Sequence, residues 1–490
     1  MSGPAVEIAS GVVVGKVVDG LCAWRGIPYA ATPIGDLRFR GPQPVKAWDG
    51  PLDAKEFGPK APQVGVADSS EDCLTINVLA PQATSDQPRP VLVFIHGGAY
   101  VTGSSAEPLY RGDNLVRTGG IVYVSFNYRL GALGYLDFTE YSTAERTFET
   151  NVGLRDQVAA LEWIQRNIAA FGGDPDNVTV WGQSSGANAV TTLMCTPAAR
   201  GLFARAIAAS SPVASAYGKD RARGWAAQFV SSIAPDGDAV RALTTASPME
   251  LANATQTLTQ RLADEEPGTR ITAPVVDGDY LPQYPIDAFA DGNAAPIPLL
   301  IGSTSHEGRF FPLFLNIIPS SHKRIEKMFD ETDPAVKARA LASYPGYPRR
   351  RAAADLGGDI VFWEPSILCA QGHTKYARTY CYRYDFAPRL LHAIGLSATH
   401  GTDLFATFGA LGDGLGRHTT LLGGRSAMRA VSDTMTAHWL SFVRHGSPQS
   451  SWPTYSLDRR ETMIFDEVSQ VRDDPLGERR RAWIGYHHKR

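Results

Sequence analysis

The sequence predicts an α/β fold, a central, mostly parallel sheet flanked by helices. Three observations carry that expectation. Short apolar runs of strand length alternate with segments whose apolar residues recur at spacings of three and four. The composition, 43% hydrophobic and 20% charged over 490 residues, supplies a large core and excludes a disordered chain. No internal repeat, low-complexity linker or compositional break divides the chain. One enlarged domain over 1–490 is therefore expected, in place of the roughly three that length alone suggests.

The elements follow in order. The first ninety residues, rich in Pro and Gly, read as irregular with a few antiparallel strands. VLVFIHGG (91–98), IVYVSFNYRL (121–130), NVTVWGQ (177–183), RAIAAS (205–210) and PLLIGS (298–303) read as buried strands. RTYCYRYDF (378–386) alternates and reads as another. Between the second and third, Leu154, Val158, Leu161, Ile164, Ile168 and Phe171 form one apolar helix face. FGGDPDN ends that helix at Gly172 and Gly173 and turns the chain toward the next strand. A second such helix carries Met428, Val431, Met435, Trp439 and Phe442 and stops at Gly446. Residues 215–295 and 312–350 read as polar, helical insertions capping the sheet.

Charge and cysteine content narrow the class. Net charge is −3, and the only basic clusters are short, at 349–351 and 479–481, so nucleic acid is not an expected partner. No apolar run approaches the ~18 residues of a membrane span. MSGPAVEIASGVVVGKVVDG lacks the basic n-region of a signal peptide, and a cytoplasmic protein is expected. Cys22, Cys73, Cys195, Cys369 and Cys381 are odd in number and have no CxxC spacing. They read as free, buried thiols rather than a disulfide or zinc framework. Oligomeric state is left open.

The strongest local signal is Gly182-Gln183-Ser184-Ser185-Gly186, the one G-x-S-x-G of the chain. A strand precedes it and a helix-forming run, ANAVTTLMC, follows. A serine on a strained strand-to-helix turn has its hydroxyl pushed clear of the sheet, and the helix behind it points N–H groups at a developing anion. Such a nucleophile needs a base, and the base an orienting acid, in the chain order Ser, acid, His. Glu307, after the strand of PLLIGSTSHEG, supplies the acid. His400, in the loop after 378–386, supplies the base, with His392 of the same loop as its rival. FIHGGAY places small residues directly after a strand, where backbone N–H groups can meet an oxyanion together with that of Ser185.

RGIPYA (25–30), EDCLTINV (71–78), HGGAY (96–100), NYRLGALGYL (127–136), residues 151–187, IGSTSHEG (301–308) and ATHGTDL (398–404) together resemble the type-B carboxylesterases. These α/β-hydrolases include bacterial p-nitrobenzyl esterases, liver carboxylesterases and cholinesterases. The resemblance spans nearly the whole chain. It implies an α/β-hydrolase fold with insertions over the active site, and hydrolysis of small-molecule carboxylic esters through an acyl-enzyme, with no metal or organic cofactor. It implies the triad Ser184, Glu307 and His400, oxyanion donors on Gly98, Ala99 and Ser185, and Ser210 supporting the acid. Phe310 and Phe311, just after the acid, would line the acyl pocket or simply pack in the core. Whether Arg309 faces the site is open.

The departures matter too. The family pattern GESAG has Gln183 and Ser185 here, so a carboxylate beside the nucleophile is lost. Secreted members pair the cysteine of EDCL with one upstream, where this chain has Ala61, leaving Cys73 single. Two other readings stand beside the esterase: a carbamate or amide hydrolase with the same triad, and a non-catalytic recognition domain. The latter predicts a broken triad, and none of the three positions is broken.

Overall fold

In the computed structural model, which describes residues 3–411 and 414–490, internal contacts divide the chain into two units. One takes Met1–Ala206, Ala216–Leu258 and Ile271–Gln283; the other takes Ile207–Ser215, Thr259–Arg270 and Tyr284–Arg490.

The first unit is built on strands β1 (Lys16–Val18), β2 (Leu21–Pro28), β3 (Thr75–Pro81), β4 (Arg89–Ile95), β5 (Val122–Phe126) and β6 (Gly173–Gln183). β4 pairs in parallel with β5 on one side and β6 on the other, while β3 lies antiparallel to β5 and to β2. Val91 to Ile95 are fully buried, which is why this strand reads as a continuous apolar run rather than an alternating one. Helix α1 (Val152–Asn167) buries Leu154, Val158, Leu161 and Ile164 as its periodicity requires. Gly172, at φ +79°, caps the short 3₁₀ turn that follows. FGGDPDN is expected to be a turn, but β6 begins inside it. Arg89 pairs with Gly173 and Val91 with Val178, so the four residues between bulge out of register.

Several motif residues prove to be buried braces. Arg129 holds Asp156 through Nε at 2.8 Å and Nη2 at 2.5 Å, and its backbone N–H adds a third bond at 3.1 Å. Arg38 makes a two-pronged pair with Glu71, one prong at 2.8 Å, and its remaining nitrogen donates to the carbonyls of Leu243, Thr244 and Ala246. Burial pushes the Asp156 carboxyl up against the pull of Arg129.

β7 (Arg205–Ala209) carries the chain from one unit into the other. In the second unit β8 (Leu299–Thr304), β9 (Thr379–Tyr384) and β10 (Glu461–Phe465) are parallel neighbours, and β11 (Gln470–Asp473) returns antiparallel. The last two were not expected: ETMIF is short, and QVRD has no apolar run to announce it. In both units the sheet is mixed, parallel where the functional loops leave it. Residues 215–295 hold the helices Lys219–Ile233 and Pro248–Glu265, and residues 312–350 hold His322–Met328 and Pro334–Ala342. All five cysteines are buried and outside any disulfide, and burial pushes the thiols of Cys73, Cys195 and Cys381 up. No described helix is long and apolar enough to cross a membrane.

Candidate active site

β6 ends at Gln183, and α2 (Ser185–Met194) begins two residues on. Ser184 makes the turn between them at φ 59°, ψ −127°, a backbone conformation that a residue with a Cβ rarely adopts. Two glycines permit it. A Cβ on Gly182 would lie 2.1 Å from the Gly186 carbonyl oxygen, and one on Gly186 would lie 2.1 Å from that of Ile95. The Ser184 carbonyl accepts the N–H of Asn188 at 2.9 Å, starting the helix.

The loop after β4 wraps beside this turn. Gly98 has φ +119°, and Ala99 and Tyr100 follow at φ 56° and 59°, three consecutive residues in left-handed territory. The loop is held from outside. Thr272 Oγ1 donates to the Ala99 carbonyl at 2.9 Å, and the Tyr100 hydroxyl donates to Asn188 Oδ1 at 2.8 Å. The Tyr100 N–H reaches Ser185 Oγ at 3.3 Å, and the Tyr128 hydroxyl donates to the His96 carbonyl at 2.8 Å. Among the described residues no acceptor takes the N–H of Gly98 or Ala99, and the N–H of Ser185, first in its helix, has none within the helix. Three free donors thus stand on the two loops expected to carry them. His96 is not a second base: burial holds it neutral, at about 4, and its Nδ1–H donates to the Gly97 carbonyl at 2.9 Å.

The second unit holds the acid and the histidine. Glu307, directly after the loop from β8, is fully buried. Its Oε1 accepts the Ser210 hydroxyl at 2.6 Å and the Thr304 backbone N–H at 2.7 Å; its Oε2 faces His400 Nδ1 at 2.5 Å. A carboxylate only accepts, so Nδ1 carries the proton and Nε2 keeps its lone pair, the tautomer a general base needs. His392 instead meets Ser397 Oγ at 3.3 Å. Arg309 is engaged elsewhere: Nε and Nη2 each donate to Asp355 at 2.9 Å, and Nη1 donates to Ser397 at 3.0 Å.

Aromatic rings surround the imidazole. Phe311 lies 5.0 Å from it between centroids, and Phe310 6.4 Å, with Phe310 turned outward to stack on the exposed Phe314. The nearest is Phe362, at 4.4 Å, on the π-helical turn Asp359–Trp363 between α3 (Arg350–Gly358) and α4 (Glu364–His373). Sequence reasoning missed Phe362 and Thr304. Thr304 lies inside IGSTSHEG but acts through its backbone, which side-chain patterns do not report, and Phe362 lies in no such motif and sits on the π-turn.

The chain matches the model of the carboxylesterase family over residues 2–483. It is 35% identical to the para-nitrobenzyl esterase of Bacillus subtilis (strain 168), with 98% of each chain covered. It is 33% identical to the fumonisin B1 esterase of Sphingopyxis macrogoltabida over 93% of this chain and 85% of that one. A solved PNB esterase structure superposes with a TM-score of 0.88 at 34% identity, covering 99% of this chain and all of the other. A serine elbow, an acid-held histidine and a match running almost end to end agree in placing this chain in the carboxylesterase family.

Proposed function

We propose that the protein is a serine carboxylesterase in which Ser184, His400 and Glu307 form the triad. The observation that carries the reading is the 2.5 Å contact between His400 Nδ1 and a buried Glu307 carboxylate that two further donors hold in place. In this reading Ser184 Oγ attacks the carbonyl of a small-molecule ester while His400 Nε2 takes its proton. Glu307 fixes the tautomer and stabilises the imidazolium. The N–H groups of Gly98, Ala99 and Ser185 hold the tetrahedral oxyanion. His400 then protonates the departing alcohol, and water releases the acyl group by the same steps. Phe311, close to His400 and buried, supports the acyl-pocket role better than Phe310. Five buried cysteines, none in a disulfide, support a cytoplasmic setting.

The test is covalent labelling. A fluorophosphonate probe should modify Ser184 alone, and Ser184→Ala should lower kcat by on the order of 10⁴-fold or more toward p-nitrophenyl esters. Labelling at Ser185 or Ser210, with Ser184→Ala still active, overturns the assignment.

A further inference from the structure

The helical run from Arg350 to His373 changes register once, at the π-helical turn Asp359–Trp363 between α3 and α4. Pro365 accounts for an irregularity here: it has no N–H to give the Val361 carbonyl, and its ring crowds that group. It does not decide the form, since a kink or a broken helix relieves Pro365 as well as a wide turn does. The form matters because the turn carries Phe362. That buried ring lies 4.4 Å from the His400 imidazole and 5.5 Å from Phe311 between centroids.

Both ends of the turn are gripped by one distant segment. Helix α5 (Gly477–Ala482) presents Arg479, whose Nη1 donates to Asp359 Oδ2 at 2.8 Å. The Tyr344 hydroxyl donates to the same oxygen at 2.8 Å, and the Arg479 guanidinium lies 4.5 Å from the Tyr344 ring centre. Just past α5, Trp483 is buried, stacks on Phe329 and gives its Nε1–H to the Tyr344 hydroxyl at 3.1 Å. The chain turns at Gly485, φ +91°, and His488 Nε2 donates to Glu364 Oε2 at 2.7 Å.

Asp359 and Glu364 are also the two residues that the π-turn joins: the Glu364 N–H donates to the Asp359 carbonyl. In a regular α-helix, residues five apart lie about 140° apart around the axis. The wider π-turn stacks them on one face. One segment holding both carboxylates therefore favours the π form over a kink or a break between them. Both acids are buried, so neither can leave its partner without stranding a charge.

We propose that Arg479 and His488 are positioning residues for the base and the acyl pocket. By holding Asp359 and Glu364 they keep the π-turn formed, and the π-turn keeps Phe362 against the His400 imidazole and Phe311. This rests on the triad reading above, with Phe311 as a wall of the acyl pocket. Both residues act through Phe362 and take no part in the chemistry.

The experiment measures kcat and KM for p-nitrophenyl butyrate and octanoate in the full chain and its variants. Releasing the turn frees Phe362 from the imidazole and opens the wall beside Phe311. Arg479→Ala and His488→Ala should each lower kcat for butyrate about three- to tenfold and raise the octanoate-to-butyrate ratio of kcat/KM about fivefold. Arg479→Lys and His488→Gln keep an N–H donor toward the carboxylate and should restore most of both. Phe362→Ala should raise the ratio too, and adding Arg479→Ala or His488→Ala to it should move the ratio no further, because the effect travels through that ring. A general loss of stability lowers the active fraction and leaves the ratio where it was. An unmoved ratio in the folded alanine variants, or a shift that adds in full to that of Phe362→Ala, overturns the proposal. If Arg479→Ala fails to fold, the His488 pair decides alone. His400→Ala separates the two readings. Retained activity there refutes the triad, whereas loss of activity there with an unmoved ratio in the alanine variants refutes only the role of Arg479 and His488.

Discussion

Glu307 receives three donors of three kinds: a hydroxyl, a backbone N–H and an imidazole N–H. An amide in its place can accept on one atom only and must turn its NH₂ toward either a backbone N–H or the histidine. Glu307→Gln therefore loses both the charge and the tautomer it enforces. We expect kcat to fall ~10²–10⁴-fold with KM little changed. His392→Ala should stay within about twofold, since its contact is to Ser397 and not to the acid. The same kinetic comparison checks both, and a damaging His392 variant with a mild Glu307 one would reverse the assignment. Arg309, with its guanidinium tied to Asp355 and Ser397, puts no free cation beside the imidazole.

At the scale of elements, the site is made where strands end and the chain must turn sharply. The left-handed residues Ala99, Tyr100 and Ser184 all fall in these turns, and Ala99 and Tyr100 are held by bonds from neighbouring segments. Strain of this kind persists only where the surroundings over-determine it. The contact that permits it is Gly186 against the end of β4. Gly186→Ala would put a Cβ 2.1 Å from the Ile95 carbonyl oxygen and 2.8 Å from that of His96, both backbone atoms that cannot swing aside. We expect a loss of about 1–3 kcal/mol in stability and most of the activity, because the turn carrying Ser184 must shift. Gly201→Ala is the control: its φ of +81° strains a Cβ, but nothing lies within 4 Å, so a cost near ~1 kcal/mol with unchanged kcat is expected. Equal kcat in the two variants would show that the close approach at Gly186 does not set the nucleophile's position.

For the whole molecule, buried ionisable groups set how stability follows pH, and they pull in opposite directions. His96 and His438 are held neutral by burial, each at about 4. Unfolded, each would bind a proton below ~6.5, so they contribute stability above that pH and lose it as pH falls toward 4. Asp359 and Asp403 are raised by burial to about 6, so the folded state binds their protons first and they favour folding as pH falls from about 6 to 4. The wild-type profile is the small difference of these effects. A variant isolates one of them. His438→Gln removes a group that must stay unprotonated, since its Nδ1 accepts the Gln449 N–H at 3.3 Å. Relative to wild type it should gain stability steadily from about pH 7 to 4.5, on the order of 2 kcal/mol, read by denaturant unfolding at several pH values. A constant difference across that range would refute it.

The sequence by itself determined the local parts. Strands from buried runs, α1 from its apolar stripe, the elbow at Ser184 from Gly182 and Gly186, and the glycine loop after β4 are all set by neighbours close in the chain. Side-chain period and backbone sterics act over a few residues, so such features are legible without a fold. Chain order and the family pattern named Glu307 and His400, and Ser210 came from resemblance. Only the tertiary structure set His400 against Glu307 and His392 against Ser397, tied Arg309 to Asp355, set Phe362 against the imidazole and buried Asp403. Those outcomes depend on which distant segments share one low-dielectric interior. Glu307 and Ser210 lie 97 residues apart, and Glu307 and His400 lie 93 apart. A charge's cost, a carboxyl's proton affinity and a ring's contacts are properties of that shared interior, and none is written in the spacing of the residues along the chain.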